Sequence, residues 1–437
     1  MKKLLFAMIA ISTFAIQSCK EEDKCKDVTC PNGQVCVDGT CLGATTNIVV
    51  SDNIAANTTW TNDNVYELAG RISVLSGATL TIEAGTVIKG RPGAGVNATC
   101  LLVARGGKLI AEGTASLPII FTSVADEITP ADVAAGNLAS PNLTPDQQGL
   151  WGGLIVLGNA PISASASQVQ IEGIPTTDPN GLYGGTDVTD NSGVLKYISI
   201  RHGGANIGNG NEINGLTLGG VGNGTLVENI EIIGNQDDGV EFFGGSVNAR
   251  NIVVLFSGDD AIDTDQAWSG TLDNFIVICG LATDHALEID GPEGTNNIAG
   301  HVIKNGSILG DSLSELADFR SCAIGTFENL FFFGFYNPTF PTTLGNPRGD
   351  FSLSNPSTTN TCTTDNFSSN NTLIFNNLQY DATISGVTSS TLSTVFRNTT
   401  DTRASLATIQ NSTVGADKSK FSNWSWVAKA GRLDSFK

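Results

Sequence analysis

The sequence predicts an all-β chain folded as a single-stranded right-handed parallel β-helix, a solenoid with a short disulfide-stapled N-terminal stalk, and three observations carry that expectation. First, one short phrase recurs. Asn214-Gly215-Leu216-Thr217-Leu218, Asp238-Gly239-Val240-Glu241-Phe242, Asp260-Ala261-Ile262-Asp263-Thr264 and His285-Ala286-Leu287-Glu288-Ile289 follow one another at steps of 24, 22 and 25 residues. A period in the low twenties, with apolar residues alternating inside each unit, marks a solenoid whose repeating unit is one coil of strands. Second, Asn229, Asn251, Asn274, Asn305 and Asn329 each precede a short apolar run, at spacings of 22, 23, 31 and 24. Asparagine tolerates left-handed backbone angles and bonds to nearby main chain, so this row marks one tight turn repeated on every coil. Third, 50 glycines and 14 prolines suit a chain that turns often. Alternation places Val240, Ile262 and Leu287 in a stacked core and points Glu241, Asp263 and Glu288 outward.

The N-terminal region reads differently. Residues 1–18 read as a lipoprotein signal peptide: Lys2 and Lys3 precede an apolar run over 4–16 that is too short to span a bilayer. Ser18-Cys19 reads as a lipobox in which the Cys19 thiol takes the lipid; an ordinary cleaved signal peptide with an incidental cysteine is the alternative. Residues 19–43 form the tether and stalk. Cys25, Cys30, Cys36 and Cys41 fall within 17 residues, which in an oxidising compartment reads as two disulfides with three possible pairings. Zinc would call for tighter cysteine pairs. The segment resembles part of an EGF-like module, and that resemblance implies Cys25–Cys36 with Cys30–Cys41. Lys20-Glu21-Glu22-Asp23 resembles the export signal of Bacteroidota lipoproteins, which implies the outer face of the outer membrane; a plain solvated tether is the other reading.

Residues 44–437 form the helix. Strands over 72–74, 79–82 and 86–88 make a coil that starts near Val65, with 46–60 expected as its cap. Strands over 101–103, 108–110 and 119–121 repeat the plan. Segments 125–149, 175–192 and 336–371 break the period and are expected as surface loops, with regular coils over 195–333 and a last coil or two over 375–396. Trp424 and Trp426 are expected to cover the last open coil, a carbohydrate-stacking role being the alternative. Cys100, Cys279, Cys322 and Cys362 read as structural, and the strand-end positions of Cys279 and Cys322 allow a bond between coils. The phrases at 77–88, 151–158, 237–245 and 421–426 are similar to those of a family of Bacteroidota surface lipoproteins of pectin-lyase-like β-helix type. That resemblance covers nearly the whole chain and implies fold and location, but no biochemical role.

With 43 acidic and 23 basic residues the formal net charge is −20, which repels nucleic acid and repels acidic polysaccharide unless a cation bridges the two. The acidic residues concentrate. Asp237, Asp238 and Glu241 should lie beneath Asp259, Asp260, Asp263 and Asp265, and these beneath Asp284, Glu288 and Asp290, on coils about 4.8 Å apart. Three readings follow. In the first the carboxylates, with Asn214, hold divalent cation, most plausibly calcium, against the plain alternative that they point into water. In the second they are catalytic: residues 235–239, 258–262 and His285 are similar to the motifs of the polygalacturonase family, an inverting polysaccharide hydrolase. That resemblance implies Asp238 and Asp259 as water activators, Asp260 as general acid and His285 in support, with carboxyl groups ~6.5–9.5 Å apart. The pattern departs at His285, which lacks flanking glycines, and at Arg320, which lacks the expected lysine two residues on. Only Arg201, His202, Arg250 and Arg320 stand in range to bind an anionic substrate. In the third and leading reading the shaft is a rigid non-catalytic surface for an extracellular glycan or partner protein, rimmed by the three insertions. No phosphate loop or nucleophile turn is present, and the three histidines are 202, 285 and 301.

Overall fold

The computed structural model describes residues 46–208, 212–295, 299–339 and 348–437, and in the first 45 residues a few positions that include the strands Val35–Val37 and Thr40–Leu42. Those two strands pair antiparallel with Cys36 opposite Cys41. Cys19, Cys25, Cys30, the stalk disulfides and the signal peptide lie outside the described residues. Residues 45–437 form one compact unit, in which no described helix is long and apolar enough to cross a membrane.

Each coil of this unit gives a short strand to a nine-stranded sheet and longer strands to a sixteen-stranded one. The pairing between coils is parallel throughout, and it brings the recurring phrases into register: Leu216 faces Val240, Val240 faces Ile262, and Ile262 faces Leu287, all in the core. The long strands bend at asparagine. Asn229, Asn251, Asn274, Asn305 and Asn329 all adopt positive φ between 56° and 64°, and their amides form a ladder. Asn251 Nδ2 donates to Asn229 Oδ1 at 2.9 Å, Asn274 to Asn251 at 2.7 Å and Asn329 to Asn305 at 3.1 Å. After the 31-residue step Asn305 donates instead to Asp273, at 2.7 Å. Tyr197 (φ 52°) and Asn377 (φ 53°) hold the same place at either end of the row.

The residue just before each of these turns forms a second column. Glu112, Lys196, Glu228, Arg250, Asp273, Lys304 and Glu328 stand opposite one another on successive coils, alternating in sign. Arg250 reaches Glu228 at 2.8 Å, and Lys304 reaches Asp273 at 3.5 Å. Exposed pairs of this kind each contribute only about 0.2–1 kcal/mol, but a one-residue slip would turn every one of them to the wrong face. Inside, Phe242, Trp268 and His301 stack at centroid distances of 4.1 and 5.0 Å, and Phe327 meets His301 edge-on at 5.4 Å. His301 sits wholly in this interior, and burial pushes its imidazole down to about 4, so it packs as a neutral ring.

Several expectations change. The helix begins at Thr46–Val50, which pairs with Asn64–Leu68, so 46–60 is part of the first coil and not a separate cap. Insertion 125–149 is not bare loop: it carries the helix Pro130–Ala134, started by a Thr129/Asp132 capping box, and lays Ile128, Val133 and Leu138 over Val65, Val87 and Ile120. Segment 336–371 contributes the strand Phe351–Leu353 to the nine-stranded sheet. Cys322 is bonded to Cys362, while Cys279 and Cys100 are buried and free, which rules out the bond between Cys279 and Cys322.

Trp424 and Trp426 do not cover the last coil, whose core is closed by Leu392, Val395 and Phe396. They pack with Phe421 and Val427 on the outer side of the long sheet, against Ile233, Leu255, Ile278 and Phe333. The reason is compositional: that side carries apolar residues where a solvated face would carry polar ones, so it needs a cover. One ion pair fastens the cover. Arg201 and Glu231 are both fully buried, 3.8 Å apart, with Ser199 bridging them. Glu231 also accepts the Val427 N–H at 2.9 Å, and the guanidinium lies 4.9 Å from the Trp426 ring. Glu231→Gln leaves Arg201 buried without its counter-charge and should cost about 3–5 kcal/mol. Thermal melting checks this, and an unchanged melting temperature would mean the pair does not anchor the segment.

Candidate functional site

The outer side of the nine-stranded sheet carries the acidic residues in two columns. Within the strands the column runs Thr217, Glu241, Asp263, Glu288, Asp318 and Ser352, each facing the next. At the turns it runs Asn214, Asp238, Asp260, His285 and Glu315, because the N–H of the residue after each donates to the carbonyl of the next at 2.9–3.0 Å. The turn column is also tied through its side chains. Asp238 Oδ1 accepts the Asp260 N–H at 2.9 Å, and Asp260 Oδ1 accepts the His285 N–H at 2.8 Å and lies 2.7 Å from His285 Nδ1.

These groups point away from the core, but they do not reach water. Glu241, Asp263 and Glu288 are 6%, 7% and 6% exposed, whereas Asp259 is exposed. Part of the cover is the stretch between the strands Leu154–Leu157 and Gly193–Arg201, which starts well ahead of the expected 175–192 loop: Tyr183 donates to Gln266 Oε1 at 2.9 Å, and Ser163 meets both the Gln266 carbonyl and the Glu293 N–H. Burial first, and mutual repulsion second, therefore hold Asp238, Glu241 and Asp263 well above the usual carboxylate range. The same causes push Asp265 up to about 8, Asp237 to about 9 and Glu288 to about 11. Asp260 is the exception. Burial raises it, but the hydrogen bond and charge of His285 outweigh that and bring it below its ordinary value, while Asp260 holds His285 above its own.

Several buried oxygen atoms on this face lack partners. Asp263 Oδ1, Asn214 Oδ1 and Asp290 Oδ1 are buried and accept no hydrogen bond among the described residues. Asp238, Glu241 and Asp263 each bring one oxygen to within 4.8 Å of the others, an all-oxygen set suited to a hard divalent cation. Three more groups meet that distance: Asp260, His285 and Glu288; Asp284, His285 and Glu315; and Asp237, Asp238 and Asp259. The two that contain a histidine suit a borderline ion as well.

The positive residues are fewer than the sequence suggests. Arg201 and His202 are buried under the Trp426 segment, and Arg250 belongs to the alternating column. Arg320 does reach, contacting Glu288 and lying 3.0 Å from Asp290. Arg348, which sequence reasoning missed, contacts Asp284 and lies 2.5 Å from Glu315. Glu315 and Asp318 were missed too, although Glu315-Leu316-Ala317-Asp318 writes the phrase a fifth time. Glu172 and Glu212 lie near Asp237 from irregular segments and had no such signal.

A model of the pectate-lyase-like β-helix domain matches residues 52–138 and 138–427. The chain belongs to that family. No curated protein and no solved structure matches it significantly. In this pectate-lyase-like β-helix the carboxyls held above their unfolded values contribute stability that is complete below about pH 4 and is lost as pH rises through 8 to 11. In chelator the melting temperature should therefore fall between about pH 5 and pH 9. Glu241→Gln with Asp263→Asn should flatten that fall and raise the melting temperature at pH 8 by at least about 3 °C. Scanning calorimetry across pH reads both effects, and a profile equally steep in the double variant would contradict the assignment.

Proposed function

We propose that the acidic face is a divalent-cation site, calcium being the best fit, and that through the cation it binds an extracellular glycan on a lipid-anchored, outer-membrane shaft. The observation that carries this reading is the contrast between the two columns of the same helix. On the long sheet the charges alternate and cancel. On the nine-stranded sheet Glu241, Asp263, Glu288 and Asp318 repeat one sign, and the first three are buried; Arg320 contacts Glu288, which leaves Glu241 and Asp263 as the step that needs a proton or a cation. Asp238, Glu241 and Asp263, with Asn214 donating its amide N–H to Glu241 beside them, would hold the ion, which supplies positive charge for the hydroxyls or carboxylates of a sugar. The Ser18-Cys19 lipobox read in the sequence favours a surface role, and the pectate-lyase-like family supports a glycan as the polymer.

A polygalacturonase-like hydrolysis is the second reading, favoured by the His285–Asp260 pair at 2.7 Å. Against it, Asp238 and Asp260 spend carboxylate oxygens on main-chain N–H groups of the next coil. Calcium titration of the chelated full chain by calorimetry should show binding with proton release, abolished by Glu241→Gln with Asp263→Asn. Binding that survives the double variant, or none at all, would defeat the cation reading. A reducing-end assay on a polysaccharide panel, with Asp260→Asn as control, then decides for or against hydrolysis.

A further inference from the structure

A groove far from the acidic columns follows the asparagine turns. It lies between the ladder and residues 412–424 and has two connected parts, of about 630 and 490 Å³, which share Asn305, Gly415, Asp417 and Ser419. Its long axis is the stacking direction, so it crosses successive coils. From the groove floor we infer that it is a binding track for an uncharged, hydroxyl-rich linear polymer, a neutral glycan, separate from the acidic face and independent of the cation reading.

Three features argue for that ligand. The first is a repeated donor. Asn251 and Asn329 each spend one amide N–H on the ladder and Asn305 spends one on Asp273, and no described residue accepts the second. Asn305 and Asn329 stand one coil apart, about 4.8 Å and close to the length of one sugar unit, and Asn251 stands two coils from Asn305; Asn274 between them is bonded to the main chain of Asp417. The second is electrical neutrality. Glu228 pairs with Arg250, Asp273 with Lys304 and Asp417 with Lys420 at 3.8 Å, while Lys418 and Lys437 are held by the main-chain carbonyls of Phe436 and Ser412, so the charges along the groove are already engaged and an uncharged chain displaces none of them.

The third is Tyr197. It is the aromatic member of a row otherwise built from asparagine, held at φ 52° where a bulky side chain costs about 1–2 kcal/mol. Its half-buried ring lines the end of the groove, braced edge-on by Trp424 at 5.7 Å. An aromatic ring beside a row of amide donors is a stacking platform for a sugar, and a ligand contact explains why strain is kept there.

The test is titration of the full chain with neutral hexasaccharides of β-1,4-linked glucose, xylose and mannose, in chelator. At least one should bind. Tyr197→Asn, which writes the ladder residue back in, should keep or raise the melting temperature while weakening that binding about tenfold or more. Lys420→Trp, at an exposed rim position, should block the groove without touching the ladder. Binding that needs calcium, or that is lost in Glu241→Gln with Asp263→Asn, would assign the sugar to the acidic face and overturn the groove. So would the absence of binding by all three sugars, or affinity unchanged in both Tyr197→Asn and Lys420→Trp. Calcium binding by the acidic face stands or falls separately.

Discussion

Parallel pairing of each coil on the last is the constraint from which everything else in this chain follows. It sets equivalent residues one strand spacing apart, so a choice at one position is multiplied into a column. Where the column is aliphatic, as at Val240, Ile262 and Leu287, multiplication makes a core. Where it is asparagine, the amides satisfy one another and the turn is held open at positive φ. Gly306 shows how local the accommodation is: it faces Phe275, and a Cβ there would lie 2.2 Å from the ring.

Charge is the property that stacking treats most harshly. The alternating column from Glu112 to Glu328 turns proximity into attraction, and it stays near water where mistakes are inexpensive. The carboxylate column does the reverse, and loops then remove its solvent. His285 relieves Asp260, and Arg320 and Arg348 relieve the end that holds Glu288 and Glu315. Glu241 receives the Asn214 amide, but no cation lies in contact with Glu241 or Asp263 among the described residues, so the tension gathers at one end of the column.

Much of this was legible in the sequence because repetition makes register visible. The phrases from Asn214 to Ile289 gave the inward and outward sets, and the asparagine row located the turns. The alternating charges were equally legible, since each stands one residue before its turn, as in Glu228-Asn229 and Arg250-Asn251, but they went unread. What sequence could not show was cover. Outward-pointing carboxylates were expected either in water or at a metal, and the loops laid over them, residues 159–192 among these, put them in a dry place. Likewise Trp424 and Trp426 were rightly seen as a lid and set on the wrong surface, because the apolar residues they need, Ile233, Leu255 and Ile278, are far away along the chain.

The Glu231–Val427 contact joins residues 196 apart in sequence. Every coil between them is synthesised, and can be wound, before residue 427 exists. During that interval the outer row of Ile233, Leu255, Ile278 and Phe333 is a greasy flank, and Glu231 and Arg201 sit beside it without the main-chain N–H and indole that complete their site. Winding can thus proceed coil by coil from one end, while the finished surface arrives in a single late step. Without residues 421–427 that flank would stand uncovered, so the solvation of coils formed early in the chain depends on a segment that comes late in it.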